Sequence, residues 1–536
     1  MRYLWRFIAT KRNQDLVSIL IFLIVSYILL SISLYLLFPK AGVPAIKGLI
    51  PGVNFAEWCK LIGRKPAYAL WLLFPIVNIF IYCGMAVDLV RSFDKLGFRH
   101  SAMAVIYAPA IFTSIALSKT DKYVSPILPR EEEYKNQIEE AIKTNKPRQL
   151  EKLVKNNPFR KSQIREWTEA IVFAVFAAAF IRMFLIEAYK IPTPSMEGSL
   201  LVGDFLFVSK AHYGIRTPMT VAMFPLLHNT IPGLGTESYL EKPSLPYFRL
   251  PALESIDRNE PIVFNWPVGD SVYLSPSRSY TAYQVKTSPE AKRDVGNAPL
   301  ITRPIDKKDH YIKRCIAIAG DSLEVRNRQV YINGVAVQNP KHLQYMYQIM
   351  SENLNYAKLQ DMGITVPENR VVPYFLDDDQ VAKLKQMDPN IKIELFDMSP
   401  YSSGLFPHDP LHFGKWTVDN YGPIYIPKKG ATVALNPESI ALYRRVIDVY
   451  ENNDFKEENG QYIINGKPAT TYTFKQDYYW AMGDNRHNSE DSRAWGFVPH
   501  DHIVGKPLFI WFSTKNGSMS NGINWDRIFT SAYKMD

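Results

Sequence analysis

Cysteine is scarce in this chain of 536 residues, which contains only Cys59, Cys83 and Cys315. The three are widely scattered and match no metal-binding spacing. A single disulfide stays open, but a disulfide scaffold is excluded. The apolar content is ordinary at 47%, which excludes a transporter built almost entirely from membrane spans. The length allows two to four domains.

Acidic residues are scarce in the first third of the chain. Residues 1–166 hold 24 Lys and Arg against 12 Asp and Glu, so the totals of 62 and 52 leave 38 against 40 for the remainder. The basic residues flank long apolar runs, which is typical of the cytoplasmic ends of membrane segments. We therefore predict contact with a membrane and exclude nucleic acid as a partner.

Charge is absent altogether from residues 16–38, which are long enough to cross a bilayer core of about 30 Å as a helix. The run is too long for a cleaved signal peptide, and no small-x-small cleavage site follows it. Two weaker apolar stretches, 68–90 and 101–118, each fit a span, half of a hairpin or an interfacial helix. A fourth, 167–186, fits either a span or an amphipathic helix.

The polar segment 119–166 predicts a helical connector between membrane segments. Its end, from Lys143 to Arg165, has eight basic residues and one acidic residue, which indicates the cytoplasm. The apolar segment that follows would then carry everything after Glu187 to the outer face. The number of spans and the side of the N-terminus stay open.

After Tyr189, short β-rich runs separated by Gly, Pro, Asn and Asp predict a largely β domain. Two fragments, 330–337 and 462–469, each have the pattern of a strand, an Asn-Gly turn and a second strand, which predicts two hairpins. Between them, a polar stretch of mixed pattern predicts an added lobe outside the catalytic part.

The predicted fold is therefore a set of N-terminal transmembrane helices that anchors a mainly β catalytic domain with a mixed insertion lobe. The predicted domains are a membrane region at 1–118, a charged cytoplasmic connector at 119–166, a transmembrane anchor at 167–186, a β core at 187–339 and 459–536, and the lobe at 340–458.

Two segments of the β region contain residues suited to nucleophilic catalysis. Ser195 follows a Pro-rich bend, and a serine becomes a nucleophile only when a neighbouring base takes its proton. Lys313 lies among apolar residues of a predicted strand, where burial would lower its pKa and leave a neutral base. Taken singly, each has an ordinary surface residue as its alternative.

A third segment, YYWAMGDNRHNSEDSRAWGFVP at 478–499, is dense in carboxylates. A calcium loop beginning at Asp484 needs Gly where Ser489 stands and Glu where Trp495 stands, so we reject a metal site. A tight loop held by Asp–Arg pairs fits better, and no cofactor is expected.

In this order after a membrane segment, the three segments resemble the motif boxes of bacterial type I signal (leader) peptidases, which are Ser/Lys serine proteases. The most specific box is GDNR-x-NS-x-DSR-x-WGFVP. The resemblance covers roughly 187–213, 260–335 and 462–515. It departs from the family at Gly198-Ser199, where Pro-Thr is usual, and at Thr193, where Ser is commoner.

The resemblance implies a role for each matching residue. Ser195 would be the nucleophile, Lys313 the general base, and Thr193 a donor to the oxyanion together with the Ser195 backbone N–H. Ser489 would orient the lysine, with Asp491, Arg493 and Arg314 in supporting roles. The substrate pockets for small side chains would involve the following residues: Ile191, Met196, Leu200, Tyr311 and Ile312.

The resemblance also implies the function. The enzyme would remove N-terminal signal peptides from exported preproteins at the outer, periplasmic face of the bacterial cytoplasmic membrane, as a multi-pass protein. Its implied partners are membrane-bound preproteins and the phospholipid bilayer. Contact of the first 130 residues with the protein-translocation machinery stays open.

Other functions compete with this interpretation. A Ser-His-Asp hydrolase could use one of several histidines, although the chain has no GxSxG elbow; they are His310, His487, His500 and His502. The His500-x-His502 pair is more typical of plain surface than of a metal site. A catalytically inactive membrane scaffold with a β domain is the alternative from another class, and an activity assay separates the two.

The apolar stretch 219–235, MTVAMFPLLHNTIPGLG, lacks strand alternation and contains two prolines. It predicts an exposed surface that dips into the membrane beside the active site. A loop folded over the β core is the alternative.

Overall fold

The computed structural model describes residues 21–533 with gaps at 23, 74–76, 160–162, 221, 233, 235, 243, 276–277 and 352–353. The chain divides into two compact units, Met1–Ala177 and Ala178–Asp536. Part of the apolar run predicted at 16–38 therefore lies outside the described residues.

The first unit is helical. Its helices are α1 (24–37), α2 (Val53–Ile62), α3 (Val77–Ser92), α4 (Phe98–Leu117), α5 (Ile127–Lys143), α6 (Pro147–Lys155) and α7 (Gln163–Phe184), the last of which continues into the second unit. Among the described residues, two segments are long and apolar enough to cross a membrane, Ile24–Ala41 and Phe98–Leu117. The apolar stretch predicted at 68–90 contains the end of a 3₁₀ segment, Pro66–Leu73, and most of α3.

An apolar core holds these helices together. The indole of Trp58 on α2 is fully buried, meets the ring of Phe112 edge-on at 5.2 Å and donates a hydrogen bond to the carbonyl of Met85 (3.0 Å). Leu34 of α1 is buried in the same cluster. Four helices of the unit therefore share one core.

The second unit is built on a seven-stranded antiparallel sheet. In spatial order its strands are β1 (Ile186–Lys190), β2 (Asp204–Ser209), β22 (Ile503–Ser513), β3 (Pro261–Asn265), β7 (His310–Ala317), β20 (Tyr478–Met482) and β21 (Val498–Pro499). The central strands are almost fully buried, as expected for apolar runs covered on both faces.

The described residues also form five smaller sheets, in which the strand pairings are antiparallel. They are β10 (Val335–Ala336), β9 (Gln329–Ile332), β8 (Ser322–Arg326) and β14 (Tyr421–Tyr425); β12 (Tyr374–Leu376), β11 (Tyr345–Met350) and β13 (Lys392–Leu395); β15 (Thr432–Ala434) and β19 (Thr471–Thr473); β16 (Phe455–Glu458), β17 (Gln461–Ile464) and β18 (Lys467–Pro468); and β5 (Ser279–Thr281), β4 (Ser271–Leu274) and β6 (Leu300–Thr302).

Short helices connect the strands. They are α8 (Ala282–Thr287), α9 (Pro289–Val295), α10 (Tyr356–Asp361), α11 (Asp378–Met387), α12 (Pro410–Phe413), α13 (Pro437–Arg445) and α14 (Ser492–Trp495). The mainly β character predicted after Tyr189 is confirmed.

Both predicted hairpins are confirmed. Strands β9 and β10 pair around Asn333-Gly334, and β17 and β18 pair around Asn465-Gly466. Both residues of each turn have positive φ, between 52° and 82°, as a two-residue type I′ turn requires. Each asparagine also accepts a backbone N–H through its side chain, from Ser322 and Asp454 respectively.

Residues 340–458 contribute to two different cores. Side chains between 343 and 393 form a hydrophobic cluster of their own around β11. Side chains between 406 and 455, including the fully buried Ile447, pack instead with those of β8 and β20. Only the first half of the predicted lobe is therefore built around a separate core.

The stretch 219–235 is partly exposed where it is described. Phe224, Leu226 and Leu234 face outward, whereas Met219 is buried. The exposed surface is thus confirmed at these three residues, and its contact with a membrane stays a prediction.

Candidate active site

Ser195 lies in a single 3₁₀ turn, Pro194–Met196, between β1 and β2. Two backbone hydrogen bonds join the ends of the loop that contains this turn. The Ile191 N–H donates to the Asp204 carbonyl (2.8 Å), and the Gly203 N–H donates to the Ile191 carbonyl (3.0 Å). Pro194 sets the backbone for the turn, and the buried Met196 side chain anchors it. The serine is therefore presented at the edge of the sheet on a rigid loop.

Lys313 lies near the middle of β7, where it pairs with Ile262 of β3. Its side chain is 3% exposed, and its Nζ lies 2.6 Å from Ser195 Oγ and 3.0 Å from the Ile312 carbonyl. Burial lowers the pKa of Lys313 to about 8, against an opposing effect of nearby carboxylates. A neutral amine is thus accessible near neutral pH and directly contacts the serine hydroxyl.

The loop after β20 is joined to the segment of Ser195 and to the strand of Lys313. Asp484 accepts from Arg314 Nε (2.7 Å) and Nη2 (2.6 Å), and from the hydroxyl of Ser199 (2.6 Å). Arg314 and Asp484 are essentially inaccessible to solvent. This bidentate pair therefore fixes the strand of Lys313, the segment of Ser195 and the loop to one another.

Asp491 and Arg493 hold the other half of the loop. Arg493 donates to both carboxylate oxygens of Asp491, at 2.9 and 2.7 Å, and the Gly483 N–H donates to the same carboxylate at 3.0 Å. Burial opposes ionisation of Asp491, but the ion pair prevails and lowers its pKa. The carboxylate stays charged and ties the two ends of the loop together.

The two hydroxyls predicted to assist, those of Thr193 and Ser489, lie close to Ser195. Thr193 Oγ1 is 3.5 Å from Ser195 Oγ. Ser489 Oγ is buried and has no hydrogen-bond partner among the described residues. Its assignment as the group that orients Lys313 stays a prediction.

The residues assigned to the substrate pockets fall into two groups. Ile191, Met196 and Leu200 are buried in one hydrophobic cluster around the turn that contains Ser195. Tyr311 and Ile312 are partly exposed, and the Tyr311 ring is stacked on Trp266 with centroids 5.4 Å apart. The first group supports the turn from below, and the second contributes accessible surface.

Two residues of the GDNR segment, Gly483 and Asn485, contact the Ser195 turn but were not predicted as site residues. A β-carbon on Gly483 would overlap Ser489 Oγ and the Ser195 carbonyl oxygen. Asn485 donates its backbone N–H to the Ser195 carbonyl and its side-chain N–H to the Pro194 carbonyl, both at 3.2 Å. Their place inside the motif was the available signal, but the contacts depend on the fold.

The histidines considered as alternatives bond elsewhere. His487 contacts Asp419 (2.9 Å), His500 contacts the Tyr479 hydroxyl (3.1 Å) and His502 contacts Asp501 (2.6 Å). His310 lies against the ring of His228. In the described part of the chain, Ser195 Oγ has hydrogen-bond contacts with Lys313 and Thr193 and with no histidine.

No group of three or more histidine, cysteine or carboxylate side chains that could hold a metal ion is present among the described residues.

The site lies within a recognised family match. The model of the family described as signal peptidase, peptidase S26, matches residues 164–382 and 426–512, which is more than half of the chain. The protein is therefore a serine endopeptidase. It belongs to the signal peptidase family S26. A second match, to a family of unknown function (DUF5684), covers residues 46–126.

Curated relatives named signal peptidase I support the same assignment. One from Buchnera aphidicola subsp. Baizongia pistaciae is 23% identical over 70% of this chain and 86% of its own length. One from Helicobacter pylori strain J99 is 23% identical over 68% and 90%, and one from Haemophilus influenzae is 24% identical over 67% and 74%.

Proposed function

We propose that this protein is a membrane-anchored endopeptidase that removes N-terminal signal peptides from exported preproteins at the outer face of the bacterial cytoplasmic membrane. The observation that supports this most directly is the 2.6 Å contact between Lys313 Nζ and Ser195 Oγ in a chain of the signal peptidase family.

The proposed chemistry begins with a neutral Lys313. Its Nζ takes the proton from Ser195 Oγ as the oxygen attacks the scissile carbonyl, and the resulting ammonium returns the proton to the leaving amine. The Ser195 backbone N–H and the Thr193 hydroxyl would stabilise the oxyanion. Water then hydrolyses the acyl-enzyme, with Lys313 again accepting the proton.

The supporting residues act by holding these groups in place. Ser489 would orient the lysine amine, while the Arg314–Asp484 and Arg493–Asp491 pairs fix the loop that carries it. Tyr311 and Ile312, above the buried Met196, would admit only small side chains of the signal peptide before the cleavage site. This would match the small-x-small pattern of secretory signal peptides.

The proposed location follows from the apolar helices. Segment Ile24–Ala41 and helix α7 would anchor the chain, with the basic stretch Lys143–Arg165 in the cytoplasm and the second unit outside. Because a preprotein is itself held in the bilayer by its signal peptide, anchoring places enzyme and cleavage site at the same surface.

The deciding experiment compares the wild-type full-length protein with Ser195→Ala, both reconstituted in lipid vesicles, on a preprotein with a cleavable signal peptide. Wild type should release the mature protein, and Ser195→Ala should release none while keeping the thermal stability of wild type. Ser520→Ala, at an exposed serine outside the site, serves as the matched control. Cleavage by Ser195→Ala at the wild-type rate would rule out Ser195 as the nucleophile, and a wild-type protein that folds but releases no mature protein would favour the inactive scaffold.

A further inference from the structure

Both ends of α4 lie at the same end of α3. Helix α4 begins six residues after Ser92, where α3 ends. The residues just after α4 return to that point, because Lys95 forms an ion pair with Asp121 (2.7 Å) and the Val124 N–H donates to the Ser92 carbonyl (3.1 Å). We call this end of the unit, formed by residues 92–95 and 118–131, the base.

Two earlier parts of the chain also reach the base. Lys40, just after α1, donates to the carbonyls of Ile115 (2.8 Å) and Asp121 (3.1 Å). At the end of α2, the Leu61 carbonyl accepts from the Tyr123 hydroxyl at 2.9 Å. The chain therefore reaches this end of the unit four times. Residues near 40 and 61–64 contact the base, and residues 92–95 and 118–131 form it.

The contacts of Trp58 show that α4 reverses direction and returns to the base. Trp58 touches Met85, seven residues before the end of α3, and Phe112, five residues before the end of α4. The second half of α4 must therefore run in the same direction as α3, which requires a reversal in between. Tyr107 breaks the helix there, with φ −157° and ψ 87°, and Pro109 follows it.

We call each segment that leaves the base and returns to it an excursion, and each excursion is short. Helix α2 has 10 residues and α3 has 16, which correspond to lengths of about 15 and 24 Å. The break at Tyr107 leaves two halves of α4 of about 14 Å each. None reaches the 20 or so helical residues that cross a hydrocarbon core of about 30 Å.

The turning points of the excursions are apolar. Leu49 and Ile50 are exposed before α2, Leu73 is 76% exposed before α3, and Ile106 is 82% exposed beside the break in α4. Turns that face water are normally built from polar residues, Gly and Pro. Large apolar side chains at three successive turns instead fit the hydrocarbon of a membrane.

We propose that residues 41–117 dip three times from the base into one leaflet of the membrane and return, so that this region adds no crossing. The base lies on the cytoplasmic side, since it continues directly into α5, α6 and the basic stretch Lys143–Arg165. The helix Phe98–Leu117 is then a re-entrant hairpin rather than a span, despite its length and composition. The side of the N-terminus depends on the first apolar segment alone.

Single cysteines in the full-length chain test this. With the three native cysteines changed to alanine, exposed residues are replaced one at a time: Lys119→Cys within the base, and Lys65→Cys and Arg99→Cys beside it. These are called the base positions. Cells that carry each variant are treated with a membrane-impermeant maleimide. Lys146→Cys in the connector and Lys415→Cys in the second unit are the references for the two sides.

All three base positions should behave like Lys146→Cys, unlabelled in intact cells and labelled once the membranes are opened. A base position whose labelling differs from that of Lys146→Cys would overturn the proposal, because the excursion beside it would be a crossing. If Lys146→Cys and Lys415→Cys were themselves labelled alike, the outer-face location under Proposed function would fail, while agreement of the base positions with Lys146→Cys would still support the three returns.

A tip residue gives a second readout. Ile106→Cys should resist the polar maleimide in opened membranes and react only after detergent is added, because it lies in hydrocarbon. Labelling of Ile106→Cys in opened membranes as fast as Lys119→Cys would place the tip in water and would contradict the proposal.

Discussion

Lys313 owes its chemistry to its neighbours. A lysine in water titrates near pH 10.4 and is almost fully protonated at neutral pH, so it cannot accept a proton. In β7 the same side chain is 3% exposed, and burial brings its pKa to about 8. The three surrounding carboxylates of Asp491, Glu490 and Asp484 oppose this shift but do not cancel it.

The pH dependence of cleavage follows from that value. In the proposed mechanism only neutral Lys313 can accept the serine proton, so the rate should fall on the acid side of a midpoint near pH 8. A free lysine would put the midpoint above pH 10. The measurement is kcat/KM on a soluble signal-sequence peptide from pH 6 to 10.5. A midpoint above pH 10 would mean that the base is not desolvated.

Substitutions at Lys313 separate charge from proton transfer. Lys313→Arg should abolish cleavage, because a guanidinium stays protonated and cannot accept the serine proton. Turnover of a preprotein is the measurement. Near-wild-type cleavage by Lys313→Arg would mean that another group serves as the base.

Lys313→Met should be equally inactive but more stable. The pKa of Lys313 is lower in the folded than in the unfolded chain, so the unfolded chain binds the proton more tightly. At pH 7 this lowers the free energy of unfolding by about 3 kcal/mol, and the effect disappears above pH 10.5. Methionine removes that cost and loses the two hydrogen bonds of the amine, each of about 1 kcal/mol. We therefore expect a gain of roughly 1 kcal/mol in the free energy of unfolding. The gain should vanish above pH 10.5. A Lys313→Met variant that is destabilised by the same amount at pH 7 and above pH 10.5 would contradict this prediction.

Gly483 is predicted to tolerate no side chain. A β-carbon there would displace Ser489 or the Ser195 backbone, so Gly483→Ala should lower kcat by about 100-fold and cost about 1–3 kcal/mol of stability. Gly404→Ala is the matched control, because its β-carbon would meet nothing within 4 Å. Equal activity of the two variants would show that the loop gives way without moving the serine.

At the scale of elements, the loop between β20 and α14 matters most. It brings Asp484 and Asn485 to the turn that contains Ser195. It also contacts the start of the 343–393 cluster, since the Gln344 N–H donates to the Asp484 carbonyl (3.0 Å). The segment after the nucleophile is similarly close, because Gly198 packs against the His342 backbone. Part of the predicted insertion lobe therefore borders the active site.

The exposed apolar element 219–235 is predicted to bind lipid. Phe224 and Leu234 face outward, and Leu226 accepts a hydrogen bond from Arg182 near the end of α7, so the element lies beside the residues that leave the predicted membrane anchor. The double variant Phe224→Ser with Leu234→Ser, made in the full-length protein, should weaken the contact of the second unit with vesicles. The measurement is cleavage: a vesicle-bound preprotein should be cleaved more slowly, and a short soluble peptide at an unchanged rate.

Leu411→Ser is the control for that double variant, because Leu411 is also exposed but lies on α12. It should leave both rates unchanged. Unchanged cleavage of the vesicle-bound preprotein by the double variant would favour a solvent-exposed loop with no role at the membrane.

At the scale of the whole molecule, the two units differ in the sign of their net charge. They also differ in the environment that their surfaces suit, a membrane for the first unit and water for most of the second. The basic, helical first unit contains the apolar segments, and the second unit is mainly β. Protease added to intact spheroplasts should digest the second unit and spare α5 and α6. Full protection of the second unit would overturn its outer-face location.

The sequence by itself determined the motif residues, the mainly β character after Tyr189 and the two Asn-Gly hairpins. Each of these depends on local pattern: residue spacing within a box, alternation along a strand, or positive φ at two turn residues. Ser195, Lys313 and the Asp491–Arg493 pair could be chosen from one chain because the boxes that contain them are specific.

Only the tertiary structure decided what depends on contacts between distant segments. The roles of Gly483 and Asn485 require the loop after β20 to meet the turn of Ser195, nearly 300 residues away in the chain. The division of 340–458 between two cores depends on which side chains pack together. Likewise, composition made Phe98–Leu117 look like a span, whereas the return of both its ends to the base is set by Lys95, Asp121 and the break at Tyr107.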